Sequence, residues 1–352
     1  MGLIHGGDIH GFYEENGYMP LDFSANINPL GLPESVRAAI GSSADLLCSY
    51  PDPLCRELRN AIAVREGVCA DEILCANGAA DIIFRLANGL KPKKALVLAP
   101  TFAEYELALH SSGCEVRYHE LFEKNDFALT DSILSEITDE LDILFICEPN
   151  NPTGQLSDRE LLLKIAEKCE SCNVIFVCDE CFNDFLDEPN RHTLKPILSK
   201  TNNLVILKAF TKIYAMAGLR LGYCLCSNSE LLSRLRGAAQ PWSVSSIAQI
   251  AGVAAVCETE YIQKTHELIK AERAFLKTSL SELGLCVTGS NANYIFMKSD
   301  CVSLDVKLRS KGILIRSCAN YRGLADGYYR AAVRTHSENE KLVAAIKEVT
   351  EN

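Results

Sequence analysis

The feature that most constrains the fold is a regular alternation of short apolar runs with helix-length amphipathic stretches between about Leu47 and Cys226. The clearest apolar runs are residues 95–99, 143–147, 174–178 and 204–207. Helical patterns lie between them, for example over residues 101–112 and 158–172. Buried strands that alternate with helices are typical of a mostly parallel sheet covered on both faces. This part of the chain is therefore predicted to be an α/β layer structure.

The C-terminal part of the chain follows a different pattern. A long amphipathic helix is predicted from about Ser245 to Leu283, and a final helix begins near Ser337. Strands are predicted between these helices, at residues 293–298, 313–316 and 329–334. Helices and strands in this order indicate a smaller α+β domain.

A chain of 352 residues is long enough for two domains with an additional segment. We expect residues 1–45 to form an N-terminal arm that contributes to the active site and the small domain. Residues 46–245 then form a large ligand-binding domain, and residues 246–352 form the small domain. Ligands of open α/β sheets bind beyond the carboxyl ends of the strands, so functional residues are expected there.

The charge and the apolar stretches exclude several kinds of partner. The formal net charge is −11, which disfavours nucleic acid and anionic membranes because phosphate binding needs clustered Lys and Arg. No stretch approaches the roughly 18 uncharged apolar residues that a membrane helix needs. Residues 1–17 lack the basic and apolar regions of a secretory signal. These features predict a cytoplasmic protein that binds neither nucleic acid nor membrane.

Sixteen cysteines are scattered along the chain. Without a signal peptide they are expected to be reduced thiols, mostly small buried apolar residues. Two close pairs, Cys169 with Cys172 and Cys178 with Cys181, raise the alternative of a zinc site. The pairs are only five residues apart, whereas a zinc ribbon spaces them by roughly 15 to 20. We therefore predict no metal site.

Two polar motifs follow apolar runs directly. Residues 150–154 read Asn-Asn-Pro-Thr-Gly after one run, and Asp179 ends another. A simple turn explains the first motif equally well, because Asn, Pro and Gly are turn residues. A solvated charge at the end of a strand explains Asp179. Neither motif identifies a function by itself.

Lys212 and Arg220 lie in an otherwise apolar run of small residues. Unpaired charges in such surroundings are unfavourable. A phosphate group would give Arg220 an anionic partner, and a desolvated Lys212 would have a lowered pKa that suits Schiff-base formation.

Taken in order, these segments resemble the fold-type I enzymes that use pyridoxal 5′-phosphate (PLP), and specifically the histidinol-phosphate aminotransferase branch. The resemblance extends over essentially the whole chain. It implies the aspartate-aminotransferase fold, with a large α/β/α PLP-binding domain, a mostly parallel sheet and a smaller α+β domain. In these enzymes the lysine that holds PLP as a Schiff base is followed six residues later by Gly-Leu-Arg. Lys212 satisfies this spacing and Lys208 does not, so Lys208 is expected to be a charge at the end of a strand.

The resemblance also implies the other contacts of the cofactor. Asp179 is expected to pair with the pyridine nitrogen of PLP and to keep the ring protonated, which the electron-sink chemistry requires. Asn151 is expected to bind the 3′-oxygen of the ring, and Phe102 to stack on its face. Backbone N–H groups at a helix N-terminus suit the phosphate. The expected phosphate-binding residues are Ala79, Ala80, Thr211 and Arg220.

The chain departs from the family pattern at two positions. Phe182 stands where the aminotransferases usually have a tyrosine that binds the 3′-oxygen, so one hydrogen bond to the cofactor is expected to be missing. Ala209 stands three residues before Lys212, where a hydroxyl commonly contacts the phosphate.

Tyr50 lies in a Tyr-Pro-Asp-Pro segment that resembles the family segment whose tyrosine reaches the phosphate of the neighbouring subunit. The resemblance implies a homodimer with shared active sites. A Pro-rich turn without such a role is the alternative.

Further segments resemble the threonine-phosphate decarboxylase family of cobalamin synthesis more than the aminotransferases: residues 5–8, 22–31, 240–244 and 315–321. This resemblance implies a small phosphorylated amino acid as the substrate. Arg330 is expected to bind the substrate carboxylate, because its planar fork suits bidentate contact. Arg334 is expected to form a structural ion pair. The other expected substrate-binding residues are His5, Asn26, Asn151 and Arg316.

Several alternatives remain open at this point. His5 could be a disordered terminal residue without a role. The main competing function is a histidinol-phosphate or related aminotransferase, because the same residues can serve either reaction. A regulator without catalytic activity is disfavoured, since the chain has no room or basic stretch for a DNA-binding domain. Serine phosphate differs from threonine phosphate by one methyl group, which an apolar pocket discriminates by only about 1–3 kcal/mol.

Overall fold

The computed structural model describes residues 6–351, so His5 lies outside the described residues. Residues 6–351 contain thirteen strands, numbered here in chain order. They are β1 Leu21–Asp22, β2 Ile73–Ala76, β3 Lys94–Ala99, β4 Glu115–Glu120, β5 Ile143–Cys147, β6 Ile175–Asp179, β7 Leu204–Ala209, β8 Gly222–Leu225, β9 Cys286–Thr288, β10 Tyr294–Lys298, β11 Ile313–Leu314, β12 Arg316–Ser317 and β13 Tyr328–Ala332.

The same residues form thirteen α-helices, and short 3₁₀ turns link several of them. They are α1 Ile9–Asn16, α2 Glu34–Gly41, α3 Arg56–Glu66, α4 Ala79–Leu90, α5 Glu104–Ser111, α6 Arg159–Ser171, α7 Pro189–His192, α8 Phe210–Ile213, α9 Ser229–Gly237, α10 Ser246–Val256, α11 Thr259–Glu282, α12 Leu304–Arg309 and α13 His336–Glu351.

The central sheet has seven strands in the order β2-β8-β7-β6-β5-β3-β4. Strands β3 to β7 pair in parallel. Strand β8 is antiparallel to both β7 and β2. The predicted mostly parallel sheet is thus confirmed. The carboxyl ends of β5, β6 and β7 lie side by side along one edge, which is where polar loops can form a site.

The central strands β5, β6 and β7 are buried and mostly apolar because both of their faces are covered. Along β5, Leu144 and Ile146 belong to one hydrophobic cluster, whereas Phe145 and Cys147 belong to the other. Successive side chains of a strand point to opposite faces. Every residue of β5 is therefore buried, as expected for a sheet with helices on both sides.

The C-terminal residues form a separate four-stranded antiparallel sheet in the order β12-β13-β10-β9. The N-terminal segment joins this part of the molecule, since β1 pairs in parallel with β11. The Phe23 amide donates to the Leu314 carbonyl at 2.7 Å, and the Ala332 amide donates to the Phe23 carbonyl at 2.7 Å. The segment that follows β1 is thereby fixed beside β13. The three-part division of the chain stays a prediction.

Capping side chains explain where two of the predicted helices begin. Helix α6 begins after Asp158, whose carboxylate accepts the Glu160 amide at 2.7 Å and the Leu161 amide at 3.1 Å. Helix α10 begins after Ser245, whose hydroxyl accepts the Ala248 amide at 3.2 Å. Both residues were predicted as the first residue of a helix, and both are N-caps, one position outside it.

Two predicted elements are wrong in their continuity. The helix predicted from Ser245 to Leu283 is two helices, α10 and α11, because the chain turns at Cys257 and Glu258. The strand predicted at residues 313–316 is split at Ile315 into β11 and β12, which belong to different sheets. No glycine or proline marks either break, so the apolar pattern continues across them.

Other expectations concern thiols, metals and membranes. The structure pairs none of the sixteen cysteines, and most of them are buried. Within residues 6–351, no group of three His, Cys, Asp or Glu side chains could hold a metal ion. No helix in the described part of the chain is long and apolar enough to cross a membrane.

Glu148, directly after β5, is a buried carboxyl group that has no charged partner among the residues described. Its Oε1 accepts the Ser157 amide at 2.9 Å, whereas its Oε2 has no hydrogen bond within the described residues. Burial raises the pKa of Glu148 from 4.5 to about 8, although the hydrogen bonds from Ser157 oppose this. The folded protein therefore keeps this group protonated at pH values where the unfolded chain ionises it.

We expect Glu148→Gln to stabilise the fold by an amount that depends on pH. Between pH 4.5 and about 8, unfolding releases the proton of Glu148, so the wild-type loses up to about 1.4 kcal/mol per pH unit. The gain of the variant should be near zero below pH 4.5 and should grow up to pH 8. Urea unfolding at pH 5, 6.5 and 8 measures it, with the exposed Glu120→Gln as the control. A gain that is the same at all three pH values would contradict the neutral state.

Candidate active site

The carboxyl ends of β5, β6 and β7, the start of α4 and segments of the C-terminal part surround one cavity of about 410 Å³. Every predicted cofactor- or substrate-binding residue in the described part of the chain lines it, with the exception of Tyr50. The predicted residues that line it are Asn26, Ala79, Ala80, Phe102, Asn151, Asp179, Thr211, Lys212, Arg220, Arg316 and Arg330.

Lys212 is held in the cavity by the short helix α8, which follows β7 directly. Its side chain is partly buried, and its Nζ makes no hydrogen bond or ion pair with any residue between 6 and 351. The Nζ lies 5.8 Å from the ring centroid of Phe182. Burial and the nearby charges of Arg330 and Arg220 lower the pKa of Lys212 to about 8. A substantial fraction of this amine is therefore neutral and nucleophilic near neutral pH.

Lys208, which was expected to lie outside the site, is surrounded by different groups from those around Lys212. Its Nζ pairs with Asp184 Oδ1 at 2.8 Å, and the side chain is buried outside the cavity. Burial alone would lower the pKa of Lys208, but the carboxylates of Asp184 and Glu66 outweigh it and raise this pKa. Lys208 is thus a charged structural group, and Lys212 is the lysine with an available amine.

Asp179 is oriented by two hydrogen bonds. Its Oδ2 accepts the Tyr105 hydroxyl at 2.6 Å, and its Oδ1 accepts the Cys181 amide at 3.0 Å. Burial raises the pKa of Asp179, although these hydrogen bonds oppose the rise. A cationic group in the cavity would stabilise the carboxylate. The side chain therefore suits a protonated ring nitrogen.

Tyr105 was not predicted from the sequence. It lies in the first turn of α5, three residues after Phe102, and the two rings meet edge to face with centroids 5.6 Å apart. The Tyr105 ring also stacks on Phe145 at 5.0 Å. The first turn of α5 thus supplies a partner of Asp179, and Phe102, which precedes this helix, supplies an aromatic wall of the cavity. The spacing of two aromatic residues at i and i+3 was the only available signal.

Phe182, which lacks a hydroxyl for the cofactor, is packed instead of hydrogen bonded. Its ring meets Tyr294 edge to face at 5.1 Å. The Tyr294 hydroxyl donates to the Asn150 carbonyl at 2.8 Å. The position of Phe182 therefore supports the loop that carries Asn151 through packing on Tyr294.

The start of α4 forms an anion site. Gly78 adopts φ 88° and provides no side-chain cap. The amides of Ala79 and Ala80 donate to no residue of the described chain, and the helix dipole favours an anion there. A Cβ on Gly222 would overlap the Ala79 amide nitrogen, so only glycine permits this close approach of the backbone. The Arg220 Nη2 would lie 2.9 Å from a Cβ on Gly78.

The surroundings of Arg220 differ from the expectation. The residue is exposed and has φ 55°, although the sequence around it is apolar. Its Nη1 donates to the Ala217 carbonyl at 3.2 Å. Arg220 lines the cavity although it is exposed, so its side chain lies where the cavity opens to solvent. Arg220 can still contact an anion at α4, but it is not a buried cation.

Arg330 is the most buried cation of the cavity, with 7% of its surface exposed. One amino group donates to Asn151 Oδ1, and the other donates to the Ser24 carbonyl at 2.9 Å. Its Nε has no hydrogen bond, and none of the carboxylates within residues 6–351 pairs with it. A buried guanidinium without an anion is unfavourable, so the cavity suits a carboxylate ligand.

Arg316 and Asn26 line other parts of the same cavity. The guanidinium of Arg316 donates to Asn320 Oδ1 at 2.8 Å and lies 5.6 Å from the ring centroid of Tyr321. Asn26 is buried, and its Oδ1 has no partner within the described residues. Arg334 pairs with Glu338 at 2.7 Å outside the cavity. Its predicted structural role is confirmed.

Tyr50 lies away from the cavity of its own chain. Its side chain is 79% exposed, and its ring stacks on Trp242 with centroids 4.4 Å apart. Tyr50 does not line the cavity that contains Lys212. A role in a second subunit is compatible with this position.

The combination of fold and cavity defines a class of enzyme. An available lysine amine, a buried carboxylate and an anion site at a helix N-terminus together suit the amine-binding aldehyde, ring nitrogen and phosphate of PLP. The central sheet and the smaller C-terminal sheet match the aspartate-aminotransferase type, fold-type I. The residues present therefore fit PLP.

Comparisons with known proteins agree with this class. A family model described as aminotransferase class I and II matches residues 19–346. The chain is similar to the threonine-phosphate decarboxylase of Salmonella typhimurium, with 42% identity over 98% of this chain and 96% of the relative. It is 32% identical to the adenosylcobalamin biosynthesis bifunctional protein CobDQ of Leptospira interrogans over 98% of this chain and 41% of that protein.

Among solved structures, the histidinol-phosphate aminotransferase from Clostridium acetobutylicum has a TM-score of 0.89 and 30% identity, covering 94% of this chain and 99% of that chain. The chain belongs to the class I and II aminotransferase family. Enzymes of this family use PLP, and PLP is the cofactor of this enzyme.

We expect Gly222→Ala to weaken PLP binding, because the added Cβ would displace the Ala79 amide from the anion site. Loss of one hydrogen bond to a charged group should raise the Kd of PLP by about tenfold, equivalent to about 1.4 kcal/mol. Titration of the apoenzyme with PLP, followed by absorbance, measures the change. Gly218→Ala is the control, since no atom lies within 4 Å of its added Cβ. An unchanged Kd for Gly222→Ala would contradict the close approach.

Proposed function

We propose that the enzyme decarboxylates L-threonine O-3-phosphate to (R)-1-amino-2-propanol O-2-phosphate in cobalamin biosynthesis. L-serine O-phosphate is a second candidate substrate. The observation that carries the proposal is the near full-length similarity to the Salmonella decarboxylase. The cavity supports it, because Arg316 and Arg330 line it in addition to Arg220, and a phosphorylated amino acid has two anionic ends.

The proposed roles at the cofactor follow from the positions of the side chains. PLP, when bound, supplies the electron sink for the electron pair released at the substrate α-carbon. The Lys212 amine is the covalent attachment point, and the Asp179 carboxylate keeps the ring nitrogen protonated. Asn151 contacts the 3′-oxygen and Phe102 covers the ring. The proposed phosphate ligands are Ala79, Ala80, Thr211 and Arg220.

The proposed substrate contacts use the cations on the other side of the cavity. Arg330 binds the carboxylate that leaves as carbon dioxide, and its contacts with Asn151 and Ser24 fix the direction of that carboxylate. Arg316 binds the phosphate group together with His5, and Asn26 lines the site from the N-terminal arm. The Lys212 amine, with its lowered pKa, can hold and return a proton near the α-carbon.

The location, the oligomeric state and the domain division of the enzyme are proposed as well. The enzyme is a cytoplasmic homodimer, in which Tyr50 reaches the phosphate group in the active site of the neighbouring subunit. The exposure of Tyr50 and of the stacked Trp242 supports such an interface. Residues 1–45, 46–245 and 246–352 act as the N-terminal arm, the large PLP-binding domain and the small domain. The pairing of β1 with β11 supports the role of the arm.

The alternative function is a histidinol-phosphate aminotransferase. The similarity of the Clostridium structure favours it, because the two folds correspond over nearly their whole length. Both reactions need Lys212, Asp179 and a substrate phosphate site. They differ in which bond at the α-carbon breaks.

We expect the PLP-loaded enzyme to release carbon dioxide and aminopropanol phosphate from phosphothreonine without any added keto acid. Trapped carbon dioxide and product amine are both measured. Lys212→Ala should abolish the reaction, because it removes the attachment point of the cofactor. Turnover of histidinol phosphate that depends on 2-oxoglutarate, without release of carbon dioxide from phosphothreonine, would overturn the proposal.

A further inference from the structure

Residues 318–324 form a loop within the connection between β12 and β13, and its side chains contact two different parts of the molecule. On one side, Tyr321 lines the cavity a few residues after Arg316, which precedes the loop. On the other side, the Arg322 side chain reaches out of the C-terminal part of the molecule to β4 and α5 of the central sheet layer. The loop is therefore held at a junction between the substrate cavity and a different part of the protein.

Arg322 is bound by two groups at once. Its guanidinium carbon lies 3.9 Å from the ring centroid of Tyr118. Its Nη2 lies 3.3 Å from Glu106 Oε1, and the same oxygen accepts the Tyr118 hydroxyl at 2.7 Å. A guanidinium on an aromatic face gains from both cation–π attraction and apolar contact. We call Glu106, Tyr118 and Arg322 the loop clamp.

The electrostatics of the loop clamp are mutually supportive. Burial and the hydrogen bond to Glu106 raise the pKa of Tyr118 to about 12. Burial opposes ionisation of Glu106, but the hydrogen bonds from Tyr118 and Arg322 lower its pKa. The carboxylate and the guanidinium are therefore both charged over the working pH range.

The loop clamp connects the loop of residues 318–324 to helix α5, which also carries Tyr105. Glu106 follows Tyr105 in α5, and the Tyr105 hydroxyl is bound to Asp179. Gly323, at φ 83°, lies against the end of β3, where a Cβ would be 3.6 Å from the Ala99 backbone. The loop is thus fixed to α5 and β3, while Tyr321 covers the cavity.

We propose that Arg322 is a positioning residue that holds the 318–324 loop closed on α5, and so keeps Arg316 and Tyr321 where the substrate phosphate binds. The proposal deepens the proposed function and rests on the phosphate site assigned there. Arg322 touches neither the cavity nor the cofactor, so its effect acts through the loop. The affinity for phosphorylated ligands should depend on it, and the chemistry on the α-carbon should not.

A surface ion pair that contributes only to stability is the competing explanation, since exposed pairs are often weak. The chain contains a matched control. Lys298 lies over the Tyr328 ring at 5.0 Å and pairs with Glu123 at 2.7 Å, with an arrangement of cation, tyrosine and glutamate like that of the loop clamp. None of these three residues lines the cavity. Lys298→Met therefore removes a similar cation at a place without access to the substrate.

The test uses the PLP-loaded Arg322→Met, Arg322→Lys and Lys298→Met enzymes. For Arg322→Met, the KM for phosphothreonine and the inhibition constant of inorganic phosphate should both rise by about five- to tenfold, with kcat changed less than twofold. The inhibition constant of unphosphorylated L-threonine should stay unchanged. Arg322→Lys should restore most of the phosphate affinity, and Lys298→Met should match the wild-type.

Equal weakening of phosphorylated and unphosphorylated ligands would overturn the proposal, as would an unchanged inhibition constant of phosphate. An equal effect of Lys298→Met would also overturn it. If Arg322→Met does not fold, Glu106→Gln takes its place with the same expectation.

Binding of phosphothreonine to each holoenzyme, followed by the cofactor absorbance, tests the role of Arg322 separately from the decarboxylase function. If the wild-type enzyme binds phosphothreonine but releases no carbon dioxide, only the decarboxylase function is contradicted. The effect of Arg322→Met on that binding still decides the role of the loop.

Discussion

The constraint on which the rest of the site depends is the buried guanidinium of Arg330, which has no carboxylate partner among residues 6–351. Its hydrogen bonds go to an amide oxygen and a backbone carbonyl, which orient it but leave its charge uncompensated. A buried charge of this kind is tolerated where a ligand supplies the counter-ion. Burial lowers the pKa of Lys212, and the charge of Arg330 lowers it further, so the neutral amine is favoured. In the proposed function, Arg330 therefore both binds the substrate and contributes to the lowered pKa of Lys212.

The topology of the sheet explains why the reactive groups meet. Strands β5, β6 and β7 are parallel neighbours, and their carboxyl ends lead to Asn151, Asp179 and Lys212 respectively. Each group follows its strand by four residues or fewer, or ends it, so the rigid sheet sets their positions. Lys208 lies within β7 itself, and its side chain points to the face opposite that of Ala209, which lines the cavity, because successive side chains of a strand alternate. The structural lysine, Lys208, and the cavity lysine, Lys212, are thus only four positions apart in the sequence.

The sequence could predict the features that depend on local patterns, but not those that depend on contacts between distant residues. The sheet and the residues at its strand ends follow from local patterns, and these residues line one cavity in the structure. Tyr105 was missed because its partner Asp179 is 74 positions away, and the loop clamp depends on a contact across 216 positions. The break after α10 was missed because the apolar pattern continues through Cys257. The exposure of Arg220 depends on the open side of the cavity, which no local pattern encodes.

The central claim is that the carboxylate held by Arg330 is the group that leaves. The most direct measurement is the reaction of the holoenzyme with phosphothreonine in D₂O, stopped before completion and analysed by mass spectrometry and NMR. Loss of this carboxylate predicts one deuteron on the carbon that carried it, no deuterium in the remaining substrate and no keto acid. Deuterium at the α-carbon of the remaining phosphothreonine, together with a keto product, would contradict it, because the α-hydrogen would then be the group that is removed.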